Sequence, residues 1–270
     1  MRRHFHKMHG LGNDFVIVDA RPEAGNAPFD VTPSLARAIA DRRTGVGCDQ
    51  LIVLEPSASA DLRMRIWNSD GGEVQSCGNA TRCVVQLTGA TTIETAGGLL
   101  TGEQLGEEVE ISLGEPRFGW DEIPLAYPMD TKALPMAWDS LERPFAVNVG
   151  NPHLVFFVTD ARTVPLSELG PRIENDPAFP ERINVNVATL VDKRLKLRTF
   201  ERGAGETLAC GTGACATAVA AIAAKLAQSP VQVDMPGGSL TIGWEPGEPV
   251  RMRGGGTHVF EGELDLDALQ

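Results

Sequence analysis

The chain has 270 residues, 36 acidic against 24 basic side chains and a formal net charge of −12, with a pI near 4.9. That balance argues against a nucleic-acid surface, and the length suffices for two domains of about 130 residues with separate cores. No apolar run of signal-peptide or membrane-spanning length is present, and an odd count of five cysteines then points to reduced thiols in the cytoplasm.

In chain order, the first strand is expected at 15–19 and a helix at 34–42, after Thr32-Pro33. Short β-branched or alternating runs predict strands at 50–54, 61–67, 92–95 and 109–113, with a helix starting near Asn79 between the second and third of them. The Pro-rich stretch 115–144 has little periodicity and reads as the crossover between two halves. Strands follow at 154–159, 194–200, 231–234 and 250–253, with helices at 166–174 and from about Thr212. The stretch 214–226 is alanine-rich and contains Lys225, which makes it a packed core helix and not a membrane span. Residues 259–266 are expected to pair with the first lobe, because duplicated lobes often exchange terminal strands.

The chain repeats itself. Residues 63–78 read RMRIWNSDGGEVQSCG, and residues 196–211, displaced by 133 positions, read KLRTFERGAGETLACG. Each block carries an aromatic ten residues before a cysteine, a Gly-Glu pair and a terminal Cys-Gly. Gly12-Asn13 and Gly150-Asn151 each precede an apolar run ending in Asp19 or Asp160, and glycine pairs at 97–98 and 237–238 follow the two helices. Five elements in one order, occurring twice, predict duplicated domains and no solenoid. The expected fold is α+β, with two similar lobes, each a curved, mostly antiparallel sheet wrapped around a central helix. The lobes are placed at 1–115, joined by 259–270, and at 116–258.

Each Cys-Gly follows a polar loop and precedes a helix. Asn79 and Thr212 are good N-caps, so Cys77 and Cys210 are expected at helix N-termini. Exposed amides and the positive dipole end stabilise an anion there. The thiol pKa is therefore expected to fall toward neutrality, and the turns at Gly78 and Gly211 can hold a carboxylate. That pairing suits abstraction of the weakly acidic proton beside a carboxylate: one thiolate removes it, a second thiol returns one from the opposite side, and the centre inverts. No aldehyde cofactor is needed for this, and no lysine has a setting that suggests one. The thiols would titrate as a coupled pair, and convergence on one cleft would let them oxidise to a disulfide. Cys48, Cys83 and Cys215 read as inert core residues. The cysteine spacings lack zinc-ligand form, so no metal is expected.

The blocks KMHGLGNDF (7–15), GVGCDQ (45–50), WNSDGGEVQSCGNATRC (67–83), GNPH (150–153), FPERINV (179–185) and ERGAGETLACGTGA (201–214) resemble the diaminopimelate epimerase family of two-cysteine epimerases and racemases. The resemblance implies that Cys77 and Cys210 are the acid/base pair and that Gly78-Asn79 and Gly211-Thr212 hold the reacting carboxylate. It implies substrate contacts from Asn13, Gln50, Asn68, Asn151, Asn184, Glu201 and Arg202, and places His153 and Glu201 beside the thiols, tuning their protonation. Ala80 and Ser69 depart from the residues frequent in the family, at positions without an implied role.

The residue chemistry is compatible with that assignment. A far carboxylate suits Arg202 with the amides Asn68, Asn151 and Asn184; a far ammonium suits Glu201. Asparagine beside glycine or proline is also a common turn residue, and strand alternation places Asn186 on the same face as Asn184. The expected activity is epimerisation of LL- to meso-diaminopimelate without cofactor, in lysine and peptidoglycan precursor synthesis, by a protein that pairs as a homodimer. A racemase of proline, hydroxyproline or histidine type, and an amino-acid-binding module with a redox-sensitive thiol pair, are the alternatives.

Overall fold

A computed structural model describes residues 2–75 and 77–269; Met1, Gln270 and Ser76, which falls in the repeated block 63–78, lie outside the described residues. The chain separates into two compact units, Met1–Ile111 with Gly254–Gln270, and Ser112–Arg253.

The first unit contains β1 (Arg2–Gly10), β2 (Asn13–Asp19), α1 (Pro33–Ala40), β3 (Gln50–Glu55), β4 (Leu62–Asn68), β5 (Glu73–Val74), α2 (Gly78–Thr88), β6 (Thr92–Thr95), β7 (Gly98–Leu105) and β8 (Glu108–Ser112). β1 and β2 are antiparallel, β2 and β3 parallel with Phe15 opposite Gln50, β3 and β4 antiparallel, and β4 and β6 parallel. α1 starts where the sequence places it: Thr32 Oγ1 accepts the Leu35 amide at 3.2 Å, and Pro33 supplies a preset φ. Its buried face, Ala36, Ile39 and Ala40, joins Phe5, Val16, Val18, Leu51, Val53 and Trp67 in one core.

The second unit contains β9 (Ala137–Trp138), β10 (Leu141–Glu142), β11 (Phe145–Asn148), β12 (Pro152–Phe157), α3 (Leu166–Glu174), β13 (Asn184–Val191), β14 (Arg194–Glu201), β15 (Gly205–Thr207), α4 (Gly211–Ala223), β16 (Val231–Met235), β17 (Gly238–Gly243) and β18 (Arg251–Gly255), the last running to the unit's boundary. The pairing scheme is that of the first unit again. β11 and β12 are antiparallel, β12 and β13 parallel with His153 opposite Asn184, β13 and β14 antiparallel, and β14 and β16 parallel. The duplication therefore extends to hydrogen-bond topology. β19 (Thr257–Asp265) returns to the first unit and pairs antiparallel with β1, Arg2 opposite Asp265 and His6 opposite Glu261.

Several details differ from the sequence expectation: the first strand is β1 (Arg2–Gly10) and not 15–19, and no strand was expected at β13 (Asn184–Val191). The polar stretches before the cysteines are hairpins: β5 folds back on β4, and β15 on β14. The Pro-rich stretch 115–144, read as a crossover, is packed: Ile123, Leu125, Leu134, Trp138 and Leu141 enter the core beside Phe156 and Phe179. Its apolar residues are spaced by prolines, so they bury without any periodic signal.

Both central helices are buried on nearly every side. α2 buries Asn79–Val85 and packs on β1 and β7; α4 buries Gly213–Ala221 against β11, β12, β13, β14, β16 and β17. A helix surrounded by protein must carry small or internally paired side chains. Alanine does this for α4. At Gly213 even a β-carbon would stand 2.7 Å from Asn186 Oδ1 and 2.9 Å from Thr199 Oγ1. Gly213→Ala is therefore expected to cost about 1–3 kcal/mol of stability, seen as a lower urea midpoint at unchanged slope. An unchanged midpoint would mean the strands can yield at that point.

Candidate active site

In the first unit, beyond the β4–β5 hairpin, Cys77 is extended (φ −149°, ψ 112°) and is itself the N-cap of α2. In the second, Cys210 (φ −119°, ψ 109°) is the N-cap of α4. Asn79 and Thr212 are thus not the caps that side-chain preference suggested. The hairpin releases the chain into helix directly after each cysteine, at the flexible Gly78 or Gly211. At Cys210 the sulfur performs the capping: the Gly213 amide donates to Sγ at 3.3 Å, and Thr212 Oγ1 lies 3.5 Å away. Asn79 is buried in the first turn of α2, its Nδ2 donating to Asn13 Oδ1 at 3.3 Å and its Oδ1 accepting from Arg82 at 2.8 Å.

Asn13, from the Gly-Asn turn before β2, is fixed by a network of opposite charges. Its Nδ2 donates to Asp49 Oδ2 at 3.0 Å. Asp49 and Asp14 exchange backbone-amide bonds at 3.0 and 3.1 Å, and Arg42 clamps both carboxylates. Lys7 reaches Asp14 and the Gly47 carbonyl. Burial opposes ionisation of Asp14, but hydrogen bonds from Arg42 and Lys7 outweigh it and hold the carboxyl far below its usual range. Asp49 is acceptor-only, so the Asn13 amide nitrogen must face it and Oδ1 turns to Asn79 and to Cys77 Sγ, 3.8 Å away. Gln50 and Asn68 sit opposite each other across β3 and β4, with Gln50 Nε2 donating to Asn68 Oδ1 at 2.9 Å. Gln50 Oε1 is buried and has no hydrogen-bond partner among the described residues.

The second unit solves the same problem with a neutral network. Asn186 Nδ2 donates to the Leu154 carbonyl at 2.9 Å and lies 3.0 Å from His153 Nδ1. A carbonyl only accepts, so that atom is an N–H₂, and His153 Nδ1 must accept from it. The His153 proton is then on Nε2, which donates to Asn151 Oδ1 at 2.8 Å. Thr199 Oγ1 donates to Asn186 Oδ1 at 3.0 Å and completes the set. Both ring nitrogens of His153 are spent on these asparagines, so its effect on a thiol is not a direct hydrogen bond. Burial first, then the Arg202 charge, brings its pKa down to about 3. Where Asn13 offers its carbonyl oxygen to the sulfur of its unit, Asn151 has its oxygen occupied and its amide N–H₂ left to point elsewhere.

Glu201, at the end of β14, lies beside Cys210: Sγ donates to Oε2 at 3.1 Å, and Thr207 donates to Oε1 at 2.6 Å. Asn184 Nδ2 donates to the Pro152 carbonyl and its Oδ1 accepts the Arg202 amide at 2.9 Å, so Asn184 holds the loop that carries Arg202. Arg202 also donates to the Glu181 carbonyl, and buried Glu174 accepts the Gly203 amide. The sequence missed Asp14, Asp49, Arg82 and Thr207. Asp14 stands inside the block GNDF, where an acidic residue beside a Gly-Asn turn was the available signal, and Asp49 inside GVGCDQ, which offers no such signal.

The expected fall of the thiol pKa does not hold for Cys210. Burial pushes it well above the usual thiol range, and the Glu201 carboxylate pushes it further; bonds from Thr212 and Gly213 only partly offset these. The helix N-terminus is outweighed by desolvation. Burial likewise pushes Cys48 up to about 11 and Cys83 up to about 12, in keeping with an inert core role, and Cys215 is fully buried.

The duplicated α+β fold is shared with several solved structures. A phenazine biosynthesis protein of the PhzF family from Bacillus anthracis aligns with a TM-score of 0.69 at 18% identity, over 98% of this chain and 99% of that one. A hydroxyproline epimerase from Agrobacterium vitis aligns with a TM-score of 0.65 at 16% identity, over 97% and 92%. At such identities these define the fold class. The chain belongs to the diaminopimelate epimerase family, whose model matches residues 5–118 and 145–259. A diaminopimelate epimerase of Rhizorhabdus wittichii is 63% identical over 271 residues, covering 100% of this chain and 98% of that one. The protein is an isomerase, and no helix among its described residues is long and apolar enough to cross a membrane.

Two outcomes follow from the titrating groups. His153 is held neutral in the folded protein, so below its ordinary pKa of 6.5 the unfolded chain takes up a proton that the folded one refuses until about pH 3. Stability should fall across that window by about 1.4 kcal/mol per pH unit from this group, and urea titrations of His153→Gln should show a correspondingly flatter pH slope. Second, Glu201→Gln removes a charge that raises the Cys210 pKa, so the pH midpoint for alkylation of Cys210, followed by peptide mass spectrometry, should move down. A midpoint that stays or rises would separate Glu201 from that thiol.

Proposed function

We propose that this protein interconverts LL- and meso-diaminopimelate by two-base proton transfer through Cys77 and Cys210, without an aldehyde cofactor. The observation that carries the proposal is the repeated construction strand, hairpin, cysteine N-cap, helix, with the two cysteines at equivalent positions of equivalent topologies. One sulfur, as thiolate, takes the α-proton and forms an S–H bond. The other, as thiol, breaks its S–H bond and delivers a proton to the opposite face. The electron pair of the broken C–H bond is carried meanwhile by the substrate carboxylate and its neighbours, and turnover leaves the sulfurs with exchanged roles.

The surrounding chemistry supports each part of this scheme. First-turn amides at Gly78-Asn79 and Gly211-Thr212 are donors for a carboxylate in which negative charge grows during proton abstraction. Cys210 is kept protonated, with its proton toward Glu201, which suits it to deliver a proton to substrate. Asn13 offers an acceptor to the Cys77 S–H that forms once the thiolate has taken the α-proton, and Asn151 an amide to ligand. The unpartnered Gln50 Oε1 supplies an acceptor for a substrate ammonium, and a buried acceptor left unmatched is costly without one. Asn68 and Arg202 are suited to the far carboxylate, the latter held in place by Asn184. This reading carries with it a cytoplasmic homodimer supplying precursors of lysine and peptidoglycan.

Deuterium wash-in at the α-carbon of diaminopimelate tests the scheme. Wild type should exchange and epimerise with no added cofactor. Cys77→Ala and Cys210→Ala should each lose epimerisation, by about 10⁴-fold or more for a group that bonds the reacting proton. Either variant retaining ordinary turnover would rule out two-base catalysis by these thiols.

A further inference from the structure

The outer face where the first and last strands pair carries a second cluster of chemically active side chains, far from the cysteines in sequence. His4 and His6 stand two residues apart on β1 and share a face, and Glu261 of β19 lies directly opposite His6. His258 lies three residues before Glu261, so plain alternation would turn the two to opposite faces. The ladder is irregular at this point: Lys7 pairs with Phe260, but Met8 pairs with His258, leaving Val259 as the extra residue of a bulge. One added residue inverts the phase of everything beyond it, which brings His258 back to the His6 side.

The result is a tight set of donor atoms. His6 Nδ1 lies 3.2 Å from His258 Nε2 and 3.6 Å from Glu261 Oε2. All three ligand atoms fall within 4.8 Å of one another. Ligands at the usual zinc–nitrogen distance on a tetrahedron are about 3.3 Å apart, so the two imidazole nitrogens already stand at the edge length of such a site. His4 packs edge-on against His6, with ring centroids 4.9 Å apart, and its Nε2 is 3.8 Å from the same Glu261 oxygen. The His6 side chain is only 20% exposed, so one ligand is set by packing, while Glu261 is open to solvent at 61% and leaves a path for entry.

We propose that His6, His258 and Glu261 form a binding site for a borderline divalent transition metal of the Zn²⁺ type, separate from the proton-transfer chemistry. Two imidazoles and one carboxylate, with water completing the tetrahedron, match the ligand preferences of that ion and not those of Mg²⁺ or Ca²⁺, which favour all-oxygen shells. The ion would join the N-terminal strand to the C-terminal strand of the first unit. An ion bound by the folded form alone raises stability by mass action. The three ligands come from opposite ends of the chain, so no spacing rule could reveal them.

The test uses the full-length protein, freed of metal by chelation and kept reduced. Equilibrium dialysis against Zn²⁺ should show one equivalent bound in wild type. His6→Ala, His258→Ala and Glu261→Ala should each weaken that binding by more than about tenfold, and the rise in melting temperature with Zn²⁺ should disappear with it. Substrate α-proton exchange by the variants should stay at the wild-type level. Co²⁺ reports the ligands: a nitrogen–oxygen site gives only weak visible bands, whereas thiolate ligation adds an intense near-ultraviolet charge-transfer band. Absence of binding by wild type, wild-type affinity in all three variants, or a thiolate band that accounts for the bound metal would each overturn the proposal.

Discussion

Everything else in this protein is arranged around a cysteine that ends a hairpin and begins a buried helix. The constraint is conformational before it is chemical. An extended cysteine followed by glycine lets the chain enter a helix at the next residue, and at Cys210 it leaves the sulfur accepting a first-turn amide. Placing such a helix at the centre of a unit requires small side chains along its whole surface. That is why α4 is built mostly of alanine, glycine and other small residues and why Gly213 has no room for a β-carbon.

The two units hold this arrangement with different physics. The first uses ionised groups: Lys7, Asp14, Arg42 and Asp49 lock Asn13 through charge-assisted bonds at the edge of solvent. The second uses a buried neutral chain, Thr199 to Asn186 to His153 to Asn151, whose tautomer is dictated by one backbone carbonyl. Salt should loosen the Arg42 pairs, which face solvent, more than the buried Lys7–Asp14 pair or the neutral chain. Duplication thus preserved the topology and the position of sulfur while the supporting chemistry diverged.

Cys210 shows how competing effects are decided. A helix N-terminus favours an anion, but its contribution at a partly buried site is about 2 kcal/mol at best, little more than one pKa unit. Complete burial and an adjacent carboxylate act in the opposite direction and win. Cys210 is therefore held as the thiol, its proton toward Glu201.

The repeat, the α+β class, the two cysteines and the family could be read from residue order, because they reside in spacing and local pattern. Helix and strand signals were likewise local: Thr32-Pro33 marked α1, and the alanine run marked a buried α4. The sequence did not reveal that Cys77 and Cys210 are themselves the caps, in which direction Glu201 shifts the Cys210 pKa, or that Asp49 and Asn186 orient the two site asparagines. It gave no hint that His6 and His258 would meet. Those facts depend on strand register, on a one-residue bulge and on how completely each group is removed from water. Such quantities are set by long-range pairing, which no local stretch of the chain contains.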